Sequence, residues 1–140
     1  MAQYYPNKKS VQFVVADRGI GFLKNVILKE DVKNESQAIK IALQKGFTAT
    51  QARMYGSQRN AGYGLYAMKE ILDSTNGSFV IISNDMLIRY KNGKFTENKL
   101  EDPYKGVIVA FNFIEEEIKL PMIEFCQNVL WKNSEEDELY

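Results

Sequence analysis

The fold of this chain is organised by the stretch Val-Gln-Phe-Val-Val-Ala-Asp-Arg-Gly-Ile-Gly, residues 11–21. Its first six residues are mostly apolar, which predicts a buried strand that ends at Asp17. Gly19 and Gly21 follow where the chain must turn away from the sheet. A carboxylate fixed at a strand end beside glycines can accept hydrogen bonds from a flat ligand while the backbone approaches closely. The stretch therefore predicts a ligand site.

Asp17 also indicates which base such a ligand would carry. The exocyclic amine of adenine is a donor and a carboxylate only accepts, so Asp17 would select adenine over guanine. Taken alone, Asp followed by Gly-x-Gly is equally typical of an ordinary turn, in which Asp accepts bonds from nearby backbone N–H groups. A second glycine motif, Gly62-Tyr63-Gly64-Leu65, opens a periodic helical segment about forty residues later. Two glycine turns of this kind favour one shared pocket.

Composition narrows the classes of function. The 140 residues are 45% hydrophobic, which fits a single domain with its own core, and 18 basic residues balance 18 acidic ones, so nucleic acid is not an expected partner. We expect a cytoplasmic protein with no membrane partner, because no apolar run is long enough to span a bilayer and the first residues are too polar for a signal peptide. Cys126 is the only cysteine and histidine is absent. An internal disulfide, a multi-thiolate zinc site and histidine-dependent catalysis are thereby excluded.

Three helices and a long loop are predicted after the glycine turn. Residues 22–28 are apolar enough for a short helix or turn. Asn34 can cap a second helix with Gln37 reaching back in a capping box, and Gly46 supplies its stop. Residues 47–61 lose periodicity and predict a long loop of the kind that forms lids or binding loops. The third helix follows Gly64 and ends at residues 76–77.

The remaining segments predict an antiparallel meander. Residues 78–83 and 86–90 are expected to form two strands, and Asn92-Gly93 is a type I′ hairpin signal. A polar connection at residues 97–105 is expected before a last apolar strand at residues 107–113. Pro121 to Trp131 predicts an amphipathic helix, followed by an acidic tail. The order of these elements favours an α+β two-layer sandwich.

Both glycine motifs resemble those of a known family, the GHKL or Bergerat-fold (histidine kinase-like) ATPases. Residues 17–21 are similar to the first glycine box of that family, Asp-x-Gly-x-Gly, whose Asp binds the adenine amine. Residues 62–65 resemble its second box, Gly-x-Gly-Leu, whose backbone N–H groups meet the phosphates at a helix start, where free N–H groups and the helix dipole attract anions. The loop between them would be the ATP lid, with residues 57–60 as candidate phosphate contacts.

The resemblance implies a fold, a cofactor and a set of site residues. The fold would be a Bergerat-type sandwich with a mixed sheet and helices on one face, spanning residues 1–114, with residues 115–140 as a separate helix and tail. The cofactor would be ATP or ADP. The implied binding residues are Asp17, Gly19, Gly21, Ser57, Arg59, Gly62, Tyr63, Gly64 and Leu65.

Two departures from the family pattern matter. The N box, a helix whose Asn ligates Mg²⁺, would lie upstream of the first glycine box, where this sequence has only a short polar lead. We therefore expect the C-terminal two-thirds of such a domain, with Mg²⁺ possible although its usual protein ligand is absent. In the family, the N box helix covers one face of the sheet, so its absence would expose an apolar surface. We expect the helix at residues 121–131, a partner chain or a second copy of this chain to cover that surface. In addition, Gly106-Val107 stands where the family often has Gly-Thr, which puts one adenine contact in doubt.

Two other interpretations stay open. A degenerate GHKL fold could act as a regulatory or protein-interaction module without nucleotide turnover, and an unrelated α+β protein could use the glycine motifs only as turns. No catalytic residue is predicted. Glu30, Asp31 and Glu35 are interpreted as solvated surface residues rather than as a general base, so catalysis by this chain alone is not expected.

Overall fold

The computed structural model describes residues 1–44, 47 and 64–114. In chain order the described elements are β1 (Ala2–Tyr5), a 3-10 turn (Pro6–Lys8), β2 (Ser10–Asp17), α1 (Gly21–Val26), α2 (Glu35–Ala42), α3 (Gly64–Ser74), β3 (Ser78–Lys91) and β4 (Lys94–Ile114). The predicted helix stop at Gly46, nearly all of the predicted lid and the helix predicted at residues 121–131 lie outside the described residues.

The four strands form one sheet in the order β1-β2-β4-β3, and each neighbouring pair is antiparallel. The α+β class is confirmed. The mixed sheet implied by the resemblance is not what the described strands form, since all their pairings are antiparallel. The longest-range pairing joins β2 to β4, from Ser10 opposite Ile114 to Asp17 opposite Val107. This register places the end of β2 beside the middle of β4.

Both hairpin strands are longer than the sequence predicted. The two strands expected at residues 78–83 and 86–90 are one strand, β3, whose register with β4 shifts between Ser83 and Met86. The expected polar connection at residues 97–105 is part of β4, a strand of 21 residues. Most residues of that part are exposed. An arm of a hairpin that is solvated on both faces carries no apolar alternation, so the pattern that marks a half-buried strand is missing.

The turn of this hairpin agrees with its prediction. Asn92 has a φ of 50° and Gly93 a φ of 76°. Positive φ at both central residues is what a type I′ turn requires, and its backbone twist matches that of the flanking strands. The type I′ turn predicted from Asn-Gly is therefore confirmed.

One face of the sheet carries the main core. Its largest sheet residues are Phe79, Tyr90 and Phe111, and the rings of Phe79 and Tyr90 stack with centroids 4.9 Å apart. The remaining buried members of this cluster are Ile39, Leu43, Leu72, Ile81, Ile88 and Phe113. Because Ile39, Leu43 and Leu72 come from α2 and α3 or their ends, these helices cover this face and make the second layer. No described helix is long and apolar enough to cross a membrane.

The helix starts explain how the chain leaves the sheet. The side chain of Asn34 accepts a hydrogen bond from the Gln37 N–H at 2.9 Å, as the sequence predicted for the start of α2. Gln37 reaches back one residue further than a capping box would, because its Oε1 accepts from the Lys33 N–H at 2.9 Å. By contrast α1 begins after Ile20, whose side chain makes no capping bond. The N–H groups at the start of α1 must therefore find their acceptors elsewhere.

Candidate functional site

Asp17 lies at the end of β2 with its carboxylate fixed on one side. Its Oδ1 accepts hydrogen bonds from the Gly19 N–H at 2.7 Å and from the Val107 N–H at 3.3 Å. The hydroxyl of Tyr104 donates to its backbone carbonyl at 3.0 Å. Asp17 is exposed, and no described residue donates a hydrogen bond to its Oδ2. The arrangement thus presents one oxygen of an oriented carboxylate as an acceptor.

Gly106 gives this corner its close packing. A Cβ at position 106 would stand 2.2 Å from the carbonyl oxygen of Asp17 and 2.8 Å from the Cα of Arg18, and Gly106 has a φ of +130°. Both facts require glycine there. The departure from the family pattern at residues 106–107 therefore lies directly beside Asp17, because Val107 is the register partner of that residue.

Gly21 ends the turn and is equally constrained. Its φ is +83°, and a Cβ there would lie 2.1 Å from Nδ2 of Asn84 and 2.9 Å from Oε1 of Glu35. Gly19 is less crowded, since its Cβ would lie 3.0 Å from Oδ1 of Asp17. Contacts within the structure thus explain why both positions carry glycine. The constraint is stronger at Gly21, where side chains of α2 and β3 leave no room for a Cβ.

Glu35 is the residue of this site that sequence reasoning missed. The interpretation of Glu35 as a solvated surface residue is wrong, because the residue is only 5% exposed. Its Oε1 accepts hydrogen bonds from the N–H groups of Phe22 at 2.7 Å and Leu23 at 3.3 Å, and also from the hydroxyl of Ser83. Its Oε2 accepts from Nδ2 of Asn84 at 3.3 Å. The one available sequence signal was the uncapped start of α1, which requires an acceptor from another part of the chain.

The second glycine motif is described only from its third residue. Gly64 is the first residue of α3, is exposed and has open space where a Cβ would be. Leu65 packs against the main core, so it fixes the start of α3 on the sheet. The other predicted contacts, Ser57, Arg59, Gly62 and Tyr63, lie outside the described residues.

An open groove of about 370 Å³ lies next to this site, between α2 and the strands β3 and β4. Its lining includes Glu35, Lys40, Glu97 and Lys99, so it carries charges of both signs. Hydrogen bonds from Lys40 and then from Ser36 lower the pKa of Glu97 below its ordinary value, against an opposing effect of burial. These bonds connect the outer part of β4 to α2.

A second polar cluster joins α3 to β3. The hydroxyl of Tyr90 donates to Asp73, and Nζ of Lys69 donates to the other oxygen of Asp73 at 2.9 Å. Burial and then the bond to Asp73 raise the pKa of Tyr90. Burial lowers the pKa of Lys69, but its bonds to Asp73 and Tyr90 outweigh that effect and leave the pKa raised. The cluster satisfies its own charges, so it positions α3.

Comparisons with known proteins add no assignment to this geometry. No protein-family model matches the chain, and no curated protein matches it. Among residues 1–44, 47 and 64–114, no group of three or more Asp, Glu, His or Cys side chains is placed to hold a metal ion.

Proposed function

We propose that this chain binds an adenine nucleotide, ATP or ADP, as part of a Bergerat-type GHKL domain. The observation that carries the proposal is the exposed Asp17 carboxylate, which is oriented at a strand end through Oδ1. The exocyclic amine of adenine donates to this carboxylate, and the Gly19 to Gly21 backbone lies against the base. A cytoplasmic location belongs to the same proposal, because ATP is abundant there.

The geometry of the turn supports base binding in two ways. The bonds from Gly19 and Val107 restrict the carboxylate before any ligand arrives, so little conformational entropy is lost on binding. A carboxylate that only accepts also discriminates against guanine, which presents an acceptor where adenine presents its amine.

The phosphates are assigned to the second glycine motif. Helix α3 has 11 residues and its first turn carries no acidic side chain, which suits an anion at its N-terminus. Ser57, Arg59 and the backbone of residues 62–65 would complete this part of the site. Mg²⁺ would accompany the nucleotide, and phosphate oxygens and water would be its main ligands.

A titration with a fluorescent ATP analogue tests the proposal. Wild-type protein should show saturable binding, displaced by unlabelled ATP or ADP and poorly by GTP. Asp17→Ala should weaken binding by at least about tenfold, because it removes a charge-assisted hydrogen bond to the base. Asp31→Asn is the matched control, since Asp31 is exposed, and it should bind like wild type. Absence of saturable binding by the wild type, with and without Mg²⁺, would refute the proposal.

A second function, a regulatory or interaction module without nucleotide turnover, is favoured by one observation. Val15 lies on the same face of β2 as Phe13, which is half-buried against the main core, yet Val15 is 61% exposed. An apolar side chain left open on the helix-covered face fits a surface that a partner chain or a second copy covers. This function predicts a defined oligomer or complex and no change of melting temperature on addition of ATP. Size-exclusion chromatography with light scattering, beside thermal melts with and without ATP, separates the two functions.

A further inference from the structure

Glu35 acts on a different helix from the one it belongs to. It is the first residue of α2, but its carboxylate accepts the N–H groups of Phe22 and Leu23 at the start of α1. The first N–H groups of a helix have no acceptor within the helix, and Ile20 supplies none through its side chain. Glu35 therefore caps α1 from outside, directly after the glycine turn.

The surroundings of this carboxylate make the cap hard to displace. Glu35 is nearly completely buried, and its described partners are backbone N–H groups, a hydroxyl and an amide. No Lys or Arg pairs with it among the described residues. A buried charge without a counter-ion is tolerated only while its hydrogen bonds are intact. Any movement of the turn away from Glu35 would break those bonds, so the turn is fixed.

Gly21 belongs to the same unit. A side chain there would overlap Asn84 and approach Glu35 closely. Ser83 contributes from β3, since its hydroxyl donates to Glu35 and also accepts from the Phe22 N–H at 3.1 Å. The exit of the turn is thus held by α2 and β3, while its start is held by the bonds between Asp17 and β4.

We infer that Glu35 is a positioning residue for the ligand that Asp17 binds. It fixes the end of the glycine turn and thereby the distance between the turn backbone and the Asp17 carboxylate, without touching the ligand itself. This inference rests on the proposed nucleotide binding. According to this inference, Glu35, which lies outside both glycine motifs, contributes to the affinity for the nucleotide.

Two substitutions of similar size separate positioning from general stability. Glu35→Gln keeps an Oε1 acceptor for the N–H groups of Phe22 and Leu23 and for the Ser83 hydroxyl, so ATP affinity should stay within about threefold of wild type. Glu35→Leu removes every acceptor and should weaken ATP binding about tenfold or more, since two N–H groups lose their charged partner. Ser83→Ala is a milder second variant and should weaken binding about two- to threefold. Ile88→Val, a core change away from the turn, controls for loss of stability alone.

The readouts are the Kd for a fluorescent ATP analogue, measured well below each melting temperature, and hydrogen exchange of the Phe22 and Leu23 amides. Faster exchange of these two amides in Glu35→Leu and Ser83→Ala, with weaker ATP binding that Glu35→Gln restores, supports the inference. Wild-type affinity in folded Glu35→Leu, or in Ser83→Ala if the first variant does not fold, overturns it. Loss of affinity in Ile88→Val equal to that in Glu35→Leu also overturns it. Failure of the nucleotide proposal is distinguishable, because wild-type protein would then bind no ATP.

Discussion

Two turns among the described residues each contain a glycine with positive φ, but the surrounding structure restrains these glycines very differently. Gly93 in the β3–β4 hairpin and Gly21 in the site turn both have positive φ, 76° and 83°. A Cβ at Gly93 would meet nothing within 4 Å, whereas a Cβ at Gly21 would overlap Asn84 and crowd Glu35. The hairpin turn is determined by its own two residues. The site turn is determined by side chains from α2 and β3.

This difference explains why one turn is a connection and the other a candidate site. A turn open to solvent needs only residues that tolerate its backbone angles. A turn packed against a buried carboxylate is restrained from several sides, and such restraint lets a backbone hold one geometry against a ligand. Rigid support is therefore concentrated at the end of β2 and not at the tip of the hairpin.

Substituting each glycine by alanine should show the largest contrast. Gly93→Ala should lower the free energy of unfolding by about 1 kcal/mol, the cost of a positive φ for a residue with a Cβ. Gly21→Ala should lower it by about 3 kcal/mol, because the same strain adds to an overpacked contact with Asn84 and Glu35. Urea unfolding followed by circular dichroism measures both. Equal losses in the two variants would mean that the packing around Gly21 does not constrain the turn.

The bonds that connect the hairpin to α2 should contribute far less than those at the site. The pKa of Glu97 is lowered by Lys40 and Ser36, so its contribution is present above the ordinary pKa of 4.5 and is lost as the pH falls through the lowered value in the folded protein. The side chains of Lys40 and Glu97 are 41% and 38% exposed, which limits the effect to about 0.5 kcal/mol.

Glu97→Gln should therefore cost about 0.5 kcal/mol at pH 7 and less at pH 3, because the stabilising contribution of the Glu97 carboxylate declines as the pH falls below 4.5. Unfolding curves at both values, for the variant beside wild type, make the measurement. Glu101→Gln is the control, because Glu101 is exposed on the same strand and should show no such difference. A pH-independent loss in Glu97→Gln would show that the charge of Glu97 has no part in the contact.

The smallest effect is expected from restoring a hydroxyl beside Asp17. Val107 is the register partner of Asp17, so their side chains lie on the same face of the sheet. Val107→Thr should raise ATP affinity about twofold to threefold through one added hydrogen bond, direct or through water. Val109→Thr, two residues further along β4 and opposite Val15, should give no gain. If ATP affinity increased in both variants, or in neither, a hydroxyl at position 107 would have no specific part in binding the base.

Much of the fold could be predicted from the sequence where the pattern is local. The Asn34 cap, the start of α3 at Gly64 and the Asn92-Gly93 turn depend on a few adjacent residues. The strand before Asp17 also forms, but the prediction that it is buried is wrong, because all its residues except Ser10 are half-buried or exposed. The sequence predicts β3 as two strands, because polar residues interrupt its apolar pattern where the register with β4 shifts. The outer part of β4 could not be recognised, because a solvated strand arm has no apolar alternation. The edge strand β1 was missed for the same reason, since three of its four residues are exposed.

The residues of the candidate site also differ in whether the sequence could predict them. The glycine turn and Asp17 could be found from spacing, because their chemistry lies within five adjacent residues. Glu35 could not, because the uncapped start of α1 calls for an acceptor without indicating which residue supplies it. The sequence also does not show that β3 brings Ser83 and Asn84 to the same point. A carboxylate in a polar connection is read as solvated unless its distant donors are known.

The shifted register of β3 between Ser83 and Met86 has a consequence for how the protein folds. The strands of the β3–β4 hairpin are adjacent in the sequence, whereas β2 pairs with β4 residues that are about a hundred positions away. Short-range pairing forms first, so we expect the hairpin to assemble before β2 docks. If the pairing of β3 with β4 shifted by one residue at the bulge, the side chains of Ser83 and Asn84 would point to the opposite face of the sheet. The glycine turn beside Asp17 can therefore take its native conformation only after β3 and β4 have paired in the correct register. Correct pairing at the bulge is thus a condition for forming the candidate site.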